Sequence, residues 1–395
     1  MQIPSIIFLS LEDWDHIWRR NQFVCATLAR RHPSMKILFV GIPRHAPNLV
    51  RSLNLKPLFS NPSWQVPEFP NITVTKPLRL GIDSTESGMH LNQRLYRNHV
   101  QAMAKRLNLT NPLLWINSHN AYHVPAYIEH SGVVYDITDD WISLSQKDLD
   151  RCRTIDADRF LCRTADTVIV CSEKLRELKE PLVPEGKLHL IANGVDAEHY
   201  ASVLQVGPIP QNLESLPRPI FGYTGTIHSD RVDLPLLSKI AEILPEASFV
   251  LVGPSHVPLE EQNALPKNIH FLPAVSYADI PGVMRAFDVS ITPHKVTPFT
   301  ESLNPIKLWE YLAAGKPIVS TNVAGFRDFP QHVRLAATAQ EFAAALRCSL
   351  EELRTPDATK LSAARQSEAR LHSWQSRVDE IEQAMVHAQA LVPAP

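Results

Sequence analysis

Asn304-Pro305-Ile306-Lys307-Leu308-Trp309-Glu310-Tyr311-Leu312-Ala313-Ala314-Gly315-Lys316-Pro317, followed by Ile318-Val319-Ser320-Thr321, reads as one short helix with both ends marked and a buried strand behind it. Asn304 suits the N-cap, because its side chain can accept from an unpaired N–H of the first turn. Pro305 suits the first helical position, where its missing N–H costs nothing. Gly315 suits the left-handed residue after the last turn, and Pro317 forbids continuation. Lys307 and Glu310 stand three residues apart and so share one face.

That placement has chemical consequences. A helix start presents free N–H groups and a partial positive charge, which favours phosphate. Lys307 adds a full charge in the same turn. Glu310, one turn deeper, can accept from the vicinal hydroxyls of a ribose. Phosphate at the helix mouth and ribose on an inner carboxylate together describe a nucleoside diphosphate. The competing reading is an ordinary amphipathic helix whose Lys and Glu face water, and the pattern alone does not separate the two.

The flanking chain alternates strand and helix. In the first half, strands fall at residues 5–10, 36–41, 72–76, 113–117, 133–137, 167–171 and 188–192, and helices at 16–31, 91–107, 149–164 and 173–179. Residues 42–70, rich in Pro, Asn and Ser, read as loop with short elements. In the second half, strands fall at 219–223, 248–252, 269–272, 289–292, 318–321 and 333–335. Its helices fall at 234–244, 277–287, 305–314, 339–353 and 358–370, with a last one from Trp374 to about residue 389. Such alternation means parallel sheets covered on both faces, an α/β class in which ligands sit outside the carboxyl ends of the strands. Asn193-Gly194-Val195-Asp196 and the Pro-rich residues 207–219 mark a boundary. The expected domains are therefore 1–196 and 197–373, with the last helix, 374–395, after them.

Composition narrows the partners. A chain of 395 residues with net charge −2 gives no global nucleic-acid signal. Residues 1–131 carry 14 Lys and Arg against 7 Asp and Glu, so the remainder holds −9. A basic first half suits an anionic membrane surface or an acidic glycan, although such an excess is more often plain solvated surface. The five cysteines form no Cys-x-x-Cys, and their odd number argues against a disulfide framework, so a reducing cytoplasm fits. Neither a signal peptide nor a membrane span is expected, so the protein is expected to be soluble in the cytoplasm or peripheral on the inner face of the plasma membrane.

Two further clusters carry chemistry. Gly222-Tyr223-Thr224-Gly225-Thr226-Ile227-His228 follows the first strand of the second half, where glycines let a ligand approach the backbone and Thr226 and His228 can donate to phosphate. Tyr135-Asp136-Ile137-Thr138-Asp139-Asp140-Trp141 ends a strand of the first half. Three carboxylates in five residues are costly to hold together unless water, cations or hydroxyls share them, so Asp136, Asp139 and Asp140 are candidate bases toward an acceptor hydroxyl. Trp141 can stack on a sugar ring. Asp13, Trp14 and Asp15, after the first strand, are candidate acceptor contacts, and Asp13 and Asp15 could meet the donor instead. His119, in Ser118-His119-Asn120-Ala121-Tyr122-His123, is a candidate hydrogen-bonding catalytic group. No third ligand accompanies His119 and His123, so no metal is expected.

The Asn304–Pro317 segment resembles the donor-binding helix of GT-B glycosyltransferases of the broad family 4 type. Tyr-Asp-x-x-Asp-Asp-Trp at 135–141, with Trp14-Asp15-x-x-Trp18-Arg19-Arg20-x-Gln22, resembles a subgroup used in teichuronic-acid and exopolysaccharide assembly. The resemblance implies two Rossmann-like domains facing across a cleft, the first completed by the helix 374–395 crossing back to it. It also implies a UDP- or GDP-linked sugar as donor, a glycan or lipid-linked oligosaccharide as acceptor, retention of configuration, and no cofactor or metal. It implies that Glu310 holds the ribose and that Phe271 to Tyr277 lies near the base. Two departures are plain. The usual Arg and Lys after the first strand of the second domain are missing, which leaves the diphosphate between Arg231 and Lys307. The family's first glutamate stands eight residues before the second, whereas Glu301 stands nine before Glu310, so Glu301 or the backbone of Ser302 and Leu303 would meet the donor sugar. A nucleotide-sugar epimerase and a degenerate glycan-binding scaffold are the other readings.

Overall fold

The structure is a computed structural model that describes residues 4–46, 63–82, 85–143 and 148–390. Part of the stretch read as loop, residues 47–62, lies outside the described residues. The chain divides into two compact units, residues 1–192 with 378–395, and residues 193–377. Among the described residues no helix is long and apolar enough to cross a membrane.

In the first unit the strands are β1 (Ile6–Leu9), β2 (Ile37–Val40), β3 (Arg44–His45), β4 (Ser63–Val66), β5 (Phe69–Thr75), β6 (Leu78–Arg79), β7 (Leu113–Ile116), β8 (Gly132–Ile137), β9 (Thr167–Val170) and β10 (Leu188–Leu190). The main sheet runs β10-β9-β8-β7-β1-β2-β5-β4, with β3 and β6 paired separately. All its pairs are parallel except the β4–β5 hairpin. Strands such as Ile6-Ile7-Phe8-Leu9 are apolar on both faces because helices cover both. Ile7, Leu114 and Val133 pack one way, with Val100, Met103 and Leu161. Phe8 points the other way, stacked between Phe39 (5.6 Å) and Trp115 (5.4 Å). Arg31, at the end of the helix Arg20–Arg31, pairs with Asp379 (2.7 Å) and Glu382 (2.9 Å) on the final helix.

The second unit has β11 (Ile220–Thr224), β12 (Ser248–Val252), β13 (Ile269–Leu272), β14 (Val289–Thr292), β15 (Ile318–Thr321) and β16 (Val333–Ala336). Their order, β13-β12-β11-β14-β15-β16, is that of a doubly wound sheet, and it reverses between β11 and β14. Every pair is parallel. Phe221 and Tyr223 face the helices Leu234–Ile243 and Ala339–Glu352, while Ile220 faces Leu308 and Leu312 of the helix Ile306–Ala314.

Several boundaries differ from expectation for local reasons. The first helix begins at Arg20 rather than residue 16, because Asp15 Oδ1 accepts from Ile17 N (2.8 Å) and holds a turn there. The helix expected at 91–107 begins at Glu86, where Thr85 caps it by accepting from Gly88 N. Residues 277–287 divide into a 3-10 turn, Tyr277–Asp279, and a helix, Ile280–Ala286.

Candidate functional site

Helix Ile306–Ala314 ends as its sequence demands, with Gly315 left-handed at φ 73°. Its start is different. Pro305 takes the cap position in an extended conformation, and no side chain caps the helix. Asn304 is not the N-cap: its Oδ1 accepts from Asn193 N (2.9 Å), and its carbonyl accepts from Asn193 Nδ2. The amide is therefore spent tying the Asn193-Gly194 segment to the loop before the helix. Lys307 remains in the first turn.

The helix mouth lies at the carboxyl ends of β11 and β14, where the strand order reverses. Gly225, just past β11, has φ 131°, which a side chain rarely tolerates, and a Cβ there would come within 3.1 Å of Lys307 Nζ. Gly222 serves packing instead of ligand approach, because a Cβ on it would strike the ring of Phe287. Lys307 Nζ sits 4.9 Å from the centre of the Tyr223 ring. Among the described residues no carboxylate pairs with it. Burial, then Arg231, pushes its ammonium down to about 8, against the pull of Glu310. The Tyr223 hydroxyl donates to Thr226 O (3.1 Å) and lies 3.2 Å from His294 Nε2. Burial, Lys307 and Arg231 hold His294 well below the ordinary imidazole range, so it is neutral. Lys307 and Arg231 thus gather positive charge near a helix start, and among the described residues a carboxylate, Asp230, pairs with Arg231 but none with Lys307.

Other expected donor residues divide. Arg231 lies 5.2 Å from the Phe299 ring centre and 3.3 Å from Asp230 Oδ1. His228 Nδ1 is 2.7 Å from the same Asp230 oxygen. Thr226 contributes its carbonyl to Tyr223. Glu301 closes the short helix Pro298–Glu301 and pairs with Arg327 Nη2 at 2.6 Å, so an ion pair already engages its carboxylate. Ser302 is buried, its hydroxyl donating to Phe299 O (2.7 Å), and Leu303 follows half-buried. Glu310 Oε1 accepts from Tyr200 at 2.6 Å. Burial raises the Glu310 carboxyl, while Tyr200 and Lys307 oppose the rise. Tyr200 gave no sequence signal, because it lies in another element on the far side of the boundary segment. Tyr311, whose hydroxyl accepts from Thr224 N (2.9 Å), was also missed.

In the first unit the acidic cluster separates into different environments. Asp136 is fully buried. Arg20 reaches both its oxygens (3.3 Å each) and Trp115 Nε1 a third contact at 3.3 Å, so it presents no base to a ligand. Asp139 and Asp140 follow β8. Thr138 Oγ1 donates to Asp139 Oδ2 (3.3 Å), and the Asp140 carbonyl accepts from Ser143 N and Oγ. His119 follows β7, next to β8, buried and pushed below its usual range by that burial. Trp141 is half-buried just after Asp140.

The residues after β1 are engaged in holding the loop. Asp13 accepts from Ile42 N (3.0 Å) and pairs with Lys76 (2.7 Å). Asp15 holds Ile17 N and pairs with Arg19 (3.3 Å). Trp14 packs edge-on against Phe39 at 5.1 Å and near Trp18 at 6.1 Å, so its ring belongs to the aromatic cluster rather than to an open stacking face. Two neighbours escaped notice. Asn117 Oδ1 accepts from Leu11 N (3.1 Å) and Asn21 Nδ2 (2.7 Å), fixing the exit of β1. Burial raises the Glu12 carboxyl to about 7; Arg19 opposes the rise, and Asp139, Asp15 and Asp136 add to it. Among the described residues no group of three or more His, Cys, Asp or Glu is arranged to hold a metal ion.

Residues 218–352, which hold β11 to β16, match the family model "Glycosyl transferases group 1". The chain is 30% identical over 203 residues to a protein of Bacillus subtilis (strain 168) described as a putative teichuronic acid biosynthesis glycosyltransferase, TuaH. That match covers 48% of this chain and 50% of the relative, so the chain spans about half the length of the curated relative it matches. Among solved structures it is similar to sucrose-phosphate synthase from Thermosynechococcus elongatus, with TM-score 0.72 and 14% identity over 98% of this chain and 100% of the other. It is also similar to Anabaena HepE in complex with UDP and glucose, with TM-score 0.67 and 18% identity over 97% and 99%. The chain has the fold of these solved structures, the GT-B fold.

Proposed function

We propose that the protein is a glycosyltransferase that moves a sugar from a nucleoside-diphosphate sugar to a hydroxyl of a glycan or lipid-linked acceptor, with retention of configuration, in polysaccharide biosynthesis. The observation that carries the reading is Lys307. It is an ammonium held by burial near pKa 8, without a carboxylate partner among the described residues, at a helix start and beside a glycine with φ 131°. A site that concentrates positive charge at such a cost suits a diphosphate. Arg231 adds to the field, and Glu310 would take the ribose. As the glycosidic bond breaks, negative charge grows on the departing diphosphate, and Lys307 with the free N–H groups of the first turn would stabilise it. The similarity to TuaH and the UDP and glucose complex of HepE support this reading. We assign acceptor recognition to Asp139, Asp140, His119 and Trp141. Asp136 we assign to holding Arg20. No cofactor or metal enters the proposal, and a peripheral association with an anionic membrane would follow from the basic first 131 residues.

The test is calorimetry with UDP, GDP and ADP on the wild-type chain and on Glu310→Ala. We expect one diphosphate to bind, and the substitution to weaken it by about 1–3 kcal/mol, the scale of hydrogen bonds to a charged group. An absence of binding by all three would overturn the proposal. Donor sugar incubated with and without acceptor glycans then separates transfer from epimerisation.

A further inference from the structure

Glu310 does not stand alone. Tyr200 is 2% exposed, and its hydroxyl lies 2.6 Å from Glu310 Oε1. Among the described residues no donor other than this phenol bonds the carboxylate. The short helix bearing Tyr200, Ala197–Ala201, is held from several sides. Asp196 Oδ1 accepts from His199 N (3.2 Å). Arg285 donates to the carbonyls of Ser202 (2.9 Å), Gln205 (2.9 Å) and Pro208 (2.7 Å) just beyond it. The Tyr200 ring meets His199 edge-on at 5.1 Å and Tyr277 at 6.2 Å, and His199 stacks on Tyr277 at 4.0 Å. On the other side, Trp309, next to Glu310, stacks on His372 at 3.9 Å. The phenol therefore has little freedom, and neither has the helix that carries the carboxylate. Burial raises the Tyr200 phenol far above its ordinary value, so it remains a donor at every working pH.

We infer that Tyr200 is a positioning residue for sugar recognition in the nucleotide: by holding Oε1 of Glu310 it fixes the carboxylate plane and turns Oε2 toward the ribose hydroxyls, and so makes the site select ribonucleotides over deoxyribonucleotides. This rests on the nucleotide reading above and adds a role no motif in the chain assigns. A fixed acceptor rewards a hydroxyl at one place, whereas a carboxylate free to rotate about its last bond spends entropy when it binds.

The experiment uses the full chain and the tightest binder among UDP, GDP and ADP, together with its 2′,3′-dideoxy form. Wild type should prefer the ribonucleotide by roughly ten-fold or more. Tyr200→Phe keeps the ring and removes only the hydroxyl. It should weaken the ribonucleotide by about ten-fold while leaving the dideoxy form unchanged. Equal loss for both ligands, or undiminished preference, would show that Tyr200 only packs and would overturn the inference while leaving the nucleotide reading intact. If none of the three diphosphates binds wild type, the nucleotide reading falls and the inference falls with it. 3-Fluorotyrosine at position 200, a stronger donor of almost the same size, gives a readout that does not depend on a truncated side chain. It should sharpen the preference for the ribonucleotide, and an unchanged preference would also overturn the inference.

Discussion

A single residue can look catalytic in the sequence and be held by buried partners once its neighbours are known. Asp136 stands with Asp139 and Asp140 in a short acidic run, but the strand period sends it inward, to Arg20 and Trp115. A buried ion pair contributes little beyond an apolar substitute, yet removing one partner leaves the other charged and unpaired. Asp136→Ala should therefore cost about 3–5 kcal/mol of stability, read as a lower urea midpoint for the first unit. A variant with wild-type stability and lost turnover would return Asp136 to the catalytic list. Lys307 makes the opposite case, because its position in the first turn was legible from Pro305 and Gly315 alone. What the sequence did not disclose was its depressed pKa, which comes from burial and from Arg231. The sign of the consequence follows. The ammonium form binds phosphate, and in the free protein it is lost as pH rises through about 8. Nucleoside diphosphate affinity should fall between pH 7 and 9. Lys307→Arg should flatten that fall, because a guanidinium stays charged. Calorimetry at the two pH values on both proteins checks this, and an affinity flat in pH for wild type would contradict it.

At the scale of an element, the helix Ile306–Ala314 was readable because its stop signal is local. Gly315 is left-handed, and a Cβ there would meet Ser362 Oγ at 2.5 Å. Gly315→Ala should thus cost at least about 1–2 kcal/mol, from the backbone conformation and from that contact together, measured by chemical denaturation. A neutral substitution would mean that the helix end can rearrange. Its start signal was misread because Asn304 has two uses of comparable merit, and only the fold brings Asn193 within reach. The same holds for Tyr200, whose partner Glu310 lies 110 residues away. The strands were easier. Those buried on both faces, such as β1 and β12, are short apolar runs that need no partner to be seen. The edge strand β4, Ser63-Trp64-Gln65-Val66, is half polar and exposed at its two central residues, so it merges with the surrounding loop. Local sequence marks ends and faces; it does not mark which distant polar group will claim a side chain.

At the scale of the molecule, each unit has its own sheet and its own buried clusters, so each can open without the other. The proposed nucleotide residues all belong to residues 193–377: Tyr200, Gly225, Arg231, Lys307 and Glu310. A ligand that binds only the folded form of that unit slows its opening by mass action, by a factor near the ratio of free ligand to Kd. Hydrogen exchange on the full chain reads this directly. With nucleoside diphosphate at about one hundred times Kd, amides of β11 and β12 that exchange through opening of the whole unit should slow by up to about 100-fold. Amides of Ile306 to Leu312 should be protected as well, because the ligand would cover the helix start. The buried strands β1, β7 and β8, in a unit with a separate core, should keep the exchange rates they have without ligand. Protection centred on β1 and β7 instead would place the nucleotide at the carboxyl end of the other sheet, and Lys307 and Glu310 would lose their assigned roles.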